Sequence, residues 1–370
     1  MQFKSIRLLN ACDVYQPKTI ATKYFVPDGK YTVYGANGEI GQYDEYNHEE
    51  PEVLMACRGA TCGTINVSKP FSWINGNAMV IHPNGTVPLR KDYLKYYLMS
   101  VSKDSIISGT AQPQITRQNL KDFQIVICDL DDQQKIVSQI EESLSQLDSA
   151  VETLNKTKQQ LEIYRQAVLR EVFTKCDQSV EIKTVCKHVT DGDHMPPPKA
   201  KTGIPFIMIS NIDGNTIDWS DTAFVGKEYY NNIGDKRTPQ KGDVLYTVTG
   251  SFGIPVLIDF EKAFCFQRHI ALLRPNDKIE QDFLYYALQD STVYAQASKR
   301  ATGTAQRTVG LTVLRTIKIP FTESKEKQTK MVSIIKNRLS QCDIVEKTVN
   351  QSLQQAEALR QSILKQAFEG

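Results

Sequence analysis

Two short segments combine small residues with side-chain amides and arginine. The first is Gly109-Thr110-Ala111-Gln112-Pro113-Gln114-Ile115-Thr116-Arg117, and the second is Thr302-Gly303-Thr304-Ala305-Gln306-Arg307-Thr308. A glutamine amide can hydrogen-bond adenine bidentately, and arginine can do the same to guanine, while glycine lets a backbone approach its ligand closely. We therefore predict DNA contacts from polar residues of both segments: Thr110, Gln112, Gln114, Arg117, Thr304, Gln306 and Arg307.

Polar and aromatic residues outside these segments are weaker candidates for DNA contact: Tyr34, Asn37, Arg58, Lys69, Lys199, Lys201, Ser210, Asn211, Thr249, Ser251, Gln267, Arg268 and His269. The basic side chains among them can meet phosphates, although exposed lysines are usually only solvated. Tyr34 is equally compatible with buried packing. Each glycine-containing segment is equally compatible with a loop that only docks a helix onto its domain.

The sequence contains no recognisable catalytic motif. It has no GxxxxGK[ST] phosphate loop, no GxSxG elbow and no HExxH helix. The five histidines and eight cysteines lack the spacing of a zinc site. We therefore expect a binding protein without catalytic residues, cofactor or metal. A turnover assay on the purified chain would expose an unrecognised enzyme, which is the alternative.

The composition indicates a globular protein of about two domains but does not by itself indicate a ligand. The chain has 370 residues, of which 41% are hydrophobic and 23% charged, and its net charge is +2. Basic groups that bind DNA would have to lie on one face, because the overall balance is that of an ordinary solvated surface. The N-terminus has no uninterrupted apolar segment, and no run approaches the roughly 20 residues that span a bilayer. We expect a soluble cytoplasmic protein with free thiols.

The chain is a repeat with an offset of 195 residues. The segment Lys135-Ile136-Val137-Ser138-Gln139-Ile140 matches Lys330-Met331-Val332-Ser333-Ile334-Ile335, and identities continue at this offset as far as Phe173 and Phe368. Upstream, Gly109-Thr110-Ala111-Gln112 recurs in the second copy with a shift of one residue. The match predicts two copies of one unit, each a globular part followed by a helix.

Both helical segments have the 4-3 spacing of a coiled coil. The apolar stripe of the first, 131–174, consists of Ile140, Leu144, Leu147, Val151, Leu154, Leu161, Val168 and Val172, and that of the second, 324–368, of Ile335, Leu339, Cys342, Val349, Leu353, Ala356 and Ile363. Arg165 and Arg360 occupy the same seam position, where each either fixes the register or extends its charge to solvent. Neither stripe can be covered by one globular part, so we expect the helices to pack on each other.

These features predict an α+β chain with an internal pseudo-two-fold repeat. Two globular parts, mixed α/β but mainly β, would be separated by two long helices packed as an antiparallel coiled coil, with the globular parts at opposite ends of the pair. The expected globular domain, helix, globular domain and helix are 1–130, 131–175, 176–322 and 323–370. Within the globular parts we expect a strand that runs into a turn at 30–38, a strand at 243–249, and short helices at 91–101 and 281–295.

This order of parts resembles the specificity subunits of Type I restriction–modification systems. Three features carry the resemblance: the segment Gly109 to Thr116, the helix start Gln133-Gln134-Lys135-Ile136-Val137, and the helix end Leu161-Glu162-Ile163-Tyr164-Arg165-Gln166-Ala167-Val168-Leu169. The resemblance covers essentially the whole chain. The combination is specific, although no single feature would be.

The resemblance implies that each globular part is a target recognition domain, which reads one half of a split, asymmetric DNA site. It implies that the helices set the gap between the halves and dock two modification subunits, which methylate adenine using S-adenosylmethionine. Restriction subunits with ATP-driven translocation would join them, and none of that chemistry would lie in this chain. Half-sites one DNA turn apart are separated by about 34 Å, which helices of roughly 60 Å can accommodate.

The second copy departs from the family pattern, because Arg307-Thr308-Val309 replaces Pro113-Gln114-Ile115. That replacement leaves a DNA role for the second loop less supported than for the first. A specificity subunit that serves a fused cleavage–methylation enzyme of the Type II class would have the same sequence features. A coiled-coil scaffold without a DNA role is a further alternative, which predicts no salt-sensitive DNA binding even with partners present.

Overall fold

The computed structural model describes most of the chain, namely residues 2–109, 112–194, 197–198, 200–304 and 306–369. It divides into two compact units. The first consists of Met1–Asn155 together with Asn350–Gly370, and the second of Lys156–Val349. Each unit therefore combines one globular part with portions of both long helices. The domain boundaries drawn from the sequence remain predictions.

The first globular part is built mainly from short strands. In chain order its elements are β1 (Lys4–Arg7), α1 (Leu8–Ala11), β2 (Cys12–Tyr15), β3 (Tyr31–Gly35), β4 (Gly38–Tyr43), β5 (Val53–Ala56), β6 (Ile65–Val67), β7 (Trp73–Ile74), β8 (Ala78–Pro83), α2 (Lys91–Ser100) and β9 (Gln124–Ile127), with 3₁₀ turns at Thr22–Tyr24 and Asp104–Ile106. The long helix α3 (Leu130–Phe173) follows.

The second globular part repeats this order with additions. Its elements are β10 (Gln178–Glu181), α4 (Ile182–Val185), β11 (Cys186–Asp191), β12 (Ile204–Ile207), β13 (Ile212–Asp213), β14 (Thr216–Ile217), β15 (Ala223–Val225), α5 (Lys227–Asn231), β16 (Val244–Thr247), β17 (Pro255–Leu257), β18 (Cys265–Phe266), β19 (Ile270–Pro275), α6 (Gln281–Leu288), α7 (Ser291–Arg300), α8 (Leu311–Arg315) and β20 (Lys318–Phe321), with a 3₁₀ turn at Ile209–Asn211. The long helix α9 (Lys325–Glu369) follows.

The sheets of the two units have the same topology, which confirms the internal repeat. The order β2-β8-β5-β6 in the first unit matches β11-β19-β16-β17 in the second. The order β4-β3-β7 matches β15-β12-β18, and in both sheets the last pair is parallel. The outer pair β1-β9 matches β10-β20. The hairpin β13-β14 is an addition of the second unit.

The central strands β5 and β16 are buried along their whole length. In the first unit Met55 packs with the helix α2 in one core, whereas Leu54 packs with Tyr34 of the three-stranded sheet in another. In the second unit Tyr246 and Leu245 divide in the same way between two cores. Alternate residues of a strand face opposite sides, so covering both faces explains the continuous apolar runs of these strands.

The first turn of each long helix is fixed to its domain by one buried glutamine. The Gln133 amide nitrogen donates to the carbonyl oxygens of Pro88 and Cys128, at 2.9 and 2.8 Å, and its oxygen accepts from the Arg90 backbone N–H at 2.9 Å. Both this glutamine and its repeat partner Gln328 are fully buried.

The partner glutamine makes the same bonds in the second unit. The Gln328 amide nitrogen donates to the carbonyl oxygens of Lys278 and Thr322, at 2.9 and 2.8 Å, and its oxygen accepts from the Glu280 backbone N–H at 2.7 Å. In each unit the bonded N–H belongs to the residue just before the short helix that packs on the sheet. The glutamine therefore fixes the short and long helices relative to each other.

The end of the opposite long helix completes each unit. In the first, Phe368 of α9 packs edge-on against Tyr93 and Tyr97 of α2, with ring centroids 5.2 and 5.3 Å apart. In the second, Phe173 of α3 packs against Phe283 of α6 at 5.5 Å. Phe173 and Phe368 are related by the repeat offset. Each lies at the end of its helix and packs on the domain from which the other long helix starts, so the two helix portions of each unit run antiparallel. This confirms the expected pairing.

The seam arginines form ion pairs between helices within each unit. Arg165 donates to Asp343 at 2.7 Å and to Glu346 at 2.9 Å, and Arg360 donates to Asp148. Asp148 and Asp343 are again repeat partners, so the same pair occurs twice. Of the two interpretations open from the sequence, the structure favours the one in which the arginines fix the register.

Two expectations about short elements differ from the structure. The segment expected as one helix at 281–295 is two helices, because the Asp290 carboxylate accepts from the Thr292 backbone N–H at 2.8 Å and caps the start of α7. The helix expected at 91–101 and the strand expected at 243–249 are present with slightly shorter bounds, and 30–38 is a strand followed by a turn, as expected. In the described part of the chain, no helix has both the length and the apolar character needed to cross a membrane.

We expect Gln133→Ala and Gln328→Ala each to lower the free energy of unfolding by about 3 kcal/mol, since buried polar groups that lose a partner cost roughly 1–3 kcal/mol each. Urea denaturation would measure the change. The control is Gln134→Ala, the exposed neighbour, which should stay within about 0.5 kcal/mol of the wild type. Equal effects of Gln133→Ala and Gln134→Ala would contradict the role assigned to Gln133.

Candidate nucleic-acid interface

The first glycine-containing segment is a loop closed by two backbone hydrogen bonds. The Ser108 N–H donates to the Gln114 carbonyl at 2.9 Å, and the Gln114 N–H donates to the Ser108 carbonyl at 2.8 Å. Gly109, directly after the closure, has a φ of 86°. We call residues 108–114 the first loop. Thr110, one of the predicted contacts, lies outside the described residues.

The second segment forms the same loop. Thr302 and Thr308 exchange two backbone hydrogen bonds of 2.9 and 2.7 Å, and Gly303 has a φ of 101°. We call residues 302–308 the second loop. When the two loops are aligned by these hydrogen bonds, Gln114 of the first loop corresponds to Thr308 of the second, and Gln112 corresponds to Gln306. The match confirms that the two loops are copies of one element.

Each loop is held on the extension of the central strand of its sheet. The Gly59 N–H donates to the Pro113 carbonyl at 3.0 Å, and the Ile115 N–H donates to the Cys57 carbonyl at 3.0 Å. In the second unit Gly250 donates to Arg307 at 2.9 Å, and Val309 donates to Val248 at 2.8 Å. The backbone of each loop is thus hydrogen-bonded to the sheet, while the side chains that point outward do not take part in these bonds.

The first loop brings several predicted contacts together. Arg58 is bridged to Gln114 through the backbone, so residues 56 positions apart in the sequence become neighbours. The side chains of Arg58, Gln112, Gln114 and Arg117 are all exposed. Within the described residues neither arginine forms an ion pair. This surface therefore offers two amides and two unpaired cations, which suit base edges and phosphates respectively.

The second loop has the same frame but a different chemistry. Thr304 and Gln306 are exposed. Arg307 instead turns back onto α7, where it donates to the Ser298 carbonyl, and its guanidinium carbon lies 5.5 Å from the centre of the Phe252 ring. Arg307 remains exposed, but these contacts hold its guanidinium against α7, whereas Thr304 and Gln306 are exposed without such a contact among the described residues. Sequence reasoning did not single out Phe252, because it lies far from Arg307 in the chain.

Thr249 takes the position in the second unit that Arg58 takes in the first. It is bridged to Thr308 through the backbone, and the two threonine hydroxyls are 3.3 Å apart. Thr249 is largely buried, whereas Ser251 is exposed. The second unit thus replaces an exposed cation by a partly buried hydroxyl pair at the base of its loop.

A second group of predicted contacts lines a cavity in the second unit. Gln267, Arg268 and His269 lie on the turn before β19 and border a cavity of about 270 Å³ together with Asp193 and Phe206. The turn is held by a hydrogen bond of 3.0 Å from the Arg268 N–H to the Asp193 carbonyl. Ser210 and Lys201 are exposed elsewhere in this unit, and Lys199 lies outside the described residues.

Two predicted contacts have their polar atoms bonded inside the protein. Asn211 is 4% exposed, and its amide accepts from the Met208 N–H at 2.9 Å and donates to the Asp221 carbonyl at 3.0 Å. Tyr34 is also 4% exposed, and its hydroxyl accepts from the Lys69 N–H at 3.1 Å. These bonds favour a structural role for both side chains.

Lys69 and Asn37 lie near Tyr34 in the three-stranded sheet. The Lys69 ammonium is 2.6 Å from Glu39, and this hydrogen-bonded pair raises the pKa of the lysine and lowers the pKa of the carboxyl group. A phosphate would have to compete with Glu39 for this ammonium. Asn37 is exposed in the turn between β3 and β4. DNA contact by these side chains stays a prediction.

Comparison with known protein families agrees with the repeat. The model of the Type I restriction modification DNA specificity domain matches the chain twice, at residues 2–163 and 178–355. These two matches cover most of the chain.

Curated relatives were found among specificity subunits. The Type I restriction enzyme MjaVIII specificity subunit of Methanocaldococcus jannaschii is 24% identical over 306 residues, which are 75% of this chain and 70% of the relative. The Type I restriction enzyme EcoBI specificity subunit of Escherichia coli is 25% identical over 304 residues, which are 74% of this chain and 63% of the relative.

One solved structure has the same fold. It comes from work on complex assembly and conformational transition of the type I R-M system, and it superposes with a TM-score of 0.70 at 19% identity. The superposition covers 99% of this chain and 97% of that chain.

We expect Gly109→Ala and Gly303→Ala to disrupt their loops. A Cβ at Gly109 would lie 2.6 Å from the Gln112 carbonyl oxygen, and one at Gly303 would lie 2.4 Å from that of Gln306; a left-handed φ adds roughly 1–2 kcal/mol. Melting temperature and DNA affinity of the assembled complex should both fall. The control is Gly310→Ala, which has open space around it. Unchanged stability and affinity in both loop variants would contradict this view of the loops.

Proposed function

The chain belongs to the family of Type I restriction–modification specificity subunits, and from this premise we propose how it recognises DNA. Its role in the family is DNA sequence specificity. Each globular part reads one half of a bipartite, asymmetric site, and its loop contributes side chains to that reading. The observation that carries the proposal is that the two loops share one backbone frame and differ in the side chains that they expose.

The differences between the loops support an asymmetric site. The first loop exposes Gln112 and Gln114 next to Arg58, which suits adenine and either guanine or phosphate. The second loop exposes Gln306 and Thr304, while Arg307 is bonded to α7. Two readers with different exposed groups select different bases, so the two halves of the site need not be related by symmetry.

The repeat also supports two copies of one partner. Packing explains why apolar residues of the two long helices match, but it does not explain identities at exposed positions. Such exposed identities are numerous at the repeat offset: Lys135 and Lys330, Ser138 and Ser333, Ser145 and Ser340, Gln146 and Gln341, Gln159 and Gln354, Gln160 and Gln355, Glu162 and Glu357. A surface that occurs twice fits the same partner twice.

We assign this repeated surface to two modification subunits, which would carry the adenine methyltransferase activity. Restriction subunits would supply cleavage and translocation, and the specificity chain itself would do no chemistry. The lengths of α3 and α9, 44 and 45 residues, support the further proposal that the helices set the gap between half-sites. The proposal places the assembly in the cytoplasm.

Methylome sequencing tests the proposed function. Cells would express the modification subunit encoded beside this chain, with and without the chain. We expect N6-methyladenine at a split, asymmetric motif only when the chain is present, because the chain selects the site. The absence of any chain-dependent mark, with both proteins expressed and assembled, would contradict the proposal.

Exchange of one globular part tests the two-reader arrangement. Replacing residues 1–130 by the corresponding domain of another family member should change one half of the methylated motif and leave the other unchanged. The exchange must keep aromatic residues at Tyr93 and Tyr97, which contact Phe368, so that the helix docking is preserved. The matched exchange of 176–322 should change only the other half. A change in both halves after either exchange would rule out independent readers.

A further inference from the structure

A groove of about 480 Å³ lies beside the first loop, within the first unit. Its walls come from the segment after β5, from the end of α2 with the turn that follows it, and from α9. The lining residues that matter here are Cys62, Gly63, Thr64, Lys103, Ile107 and Gln361. Among the described residues that line this groove, Lys103 is the one with a basic side chain.

The Lys103 ammonium is a partly buried cation without a counter-ion. Among the described residues it forms no ion pair, and the adjacent Asp104 carboxylate accepts instead from the Ser102 hydroxyl at 2.8 Å. Burial lowers the pKa of Lys103 to about 8. A charged group that loses water without gaining a partner is unfavourable. An anion that enters the groove would therefore meet a cation that no other described group of the unit neutralises.

The fold does not require a lysine at this position. The first and second loops are aligned by their closures, Ser108 with Gln114 and Thr302 with Thr308. Five residues before Thr302 the second unit has Ala297, which is fully buried in α7. The first unit therefore has an unpaired cation beside its loop, whereas the second unit has a buried alanine at the corresponding position.

The groove and the first loop share one piece of backbone. The Cys62 N–H donates to the Gly59 carbonyl at 3.0 Å, and the Gly59 N–H donates to Pro113 of the loop at 3.0 Å. On the other wall, the Ile107 N–H donates to the Lys103 carbonyl at 3.2 Å, and Ile107 directly precedes the loop. A ligand of the loop would therefore pass close to the mouth of the groove.

We propose that this groove receives a backbone phosphate of the DNA that the first loop reads, with Lys103 as the cation that binds it. The inference rests on the proposed function and adds a phosphate site to it. Thr64, which is exposed at the groove, has a hydroxyl that can donate to a phosphate oxygen. Arg58 and Arg117 of the loop region are also unpaired within the described residues. Several unpaired cations in one region suit a phosphate backbone better than they suit a single acidic side chain of a partner protein.

Among the described residues, few other titratable groups face Lys103 in the groove. The elements packed around Lys103 contribute Asp104 from its own turn and Cys62 from the facing segment, while α2 contributes Met99 and Ser100, and α9 contributes Gln361. Burial raises the pKa of the Cys62 thiol, which keeps it neutral where Lys103 titrates. Lys103 is thus the lining group whose charge is lost around pH 8.

The test uses the complex of the full chain with its modification subunits and fluorescently labelled duplexes, one carrying the motif found by methylome sequencing and one of unrelated sequence. Lys103→Met should weaken binding to both duplexes roughly fivefold to tenfold at 0.1 M salt and reduce the slope of log affinity against log salt by about 0.9, the value for one lost phosphate contact. Lys103→Arg should retain both affinity and slope.

The pH dependence separates a phosphate contact from a structural effect. Raising the pH from about 7 to about 9 removes the Lys103 proton, so wild-type affinity should fall roughly tenfold. Lys103→Arg should lose this dependence because arginine stays charged. The control is Lys95→Met, which removes the same charge from α2, where the ammonium lies 4.1 Å from the Tyr96 ring; it should keep the wild-type salt slope and pH dependence.

The outcomes distinguish this inference from the proposed function. A complex that binds neither duplex would contradict the proposed function itself. Binding with an unchanged salt slope and pH dependence in Lys103→Met would overturn the phosphate site alone. If Lys103→Met instead lowers the amount of modification subunit that co-purifies while DNA affinity per assembled complex is unchanged, the groove binds an acidic group of the partner and the phosphate assignment is wrong.

Discussion

The antiparallel packing of the long helices is the constraint on which the rest of the structure depends. Each helix carries an apolar stripe that one globular part cannot cover, so within each unit the start of one helix lies against the end of the other. The ion pairs Arg165–Asp343 and Arg360–Asp148 occur once in each unit and are copies of each other. As a result the first unit is completed by the last segment of the chain, Asn350–Gly370.

This packing reaches the recognition loops through two repeated contacts. A buried glutamine, Gln133 or Gln328, bonds the long helix to the residue that precedes a short helix of the domain. A phenylalanine of the opposite helix, Phe368 or Phe173, then packs on that short helix. The short helix covers the inner face of the four-stranded sheet, whose central strand continues into the support of the loop. A continuous series of contacts therefore connects the long helices to the loop in each unit.

The two copies differ in side chains at the loops where this path ends. Both units share the same loop backbone. They have the same hydrogen bonds that close the loop, a positive φ at Gly109 or Gly303, and the same bonds to the central strand. The side chains differ: Gln114 corresponds to Thr308, and the support carries Arg58 in one unit and Thr249 in the other. A constant backbone with variable side chains is what separate half-site readers on one frame require, because the frame positions the groups and the groups select the bases.

The sequence by itself determined the repeat, both long helices and the antiparallel pairing, because these depend on spacing that is local along the chain and on identities at one offset. It also identified the two loops, since glycine at a left-handed φ leaves a readable signal. Only the tertiary structure showed which predicted side chains are free. Asn211 and Tyr34 are bonded internally, and Arg307 turns back onto α7. Their partners lie on other elements, at separations that no local pattern encodes. Lys103 was missed for the same reason, because neither its burial nor its lack of a counter-ion appears until distant segments pack around it.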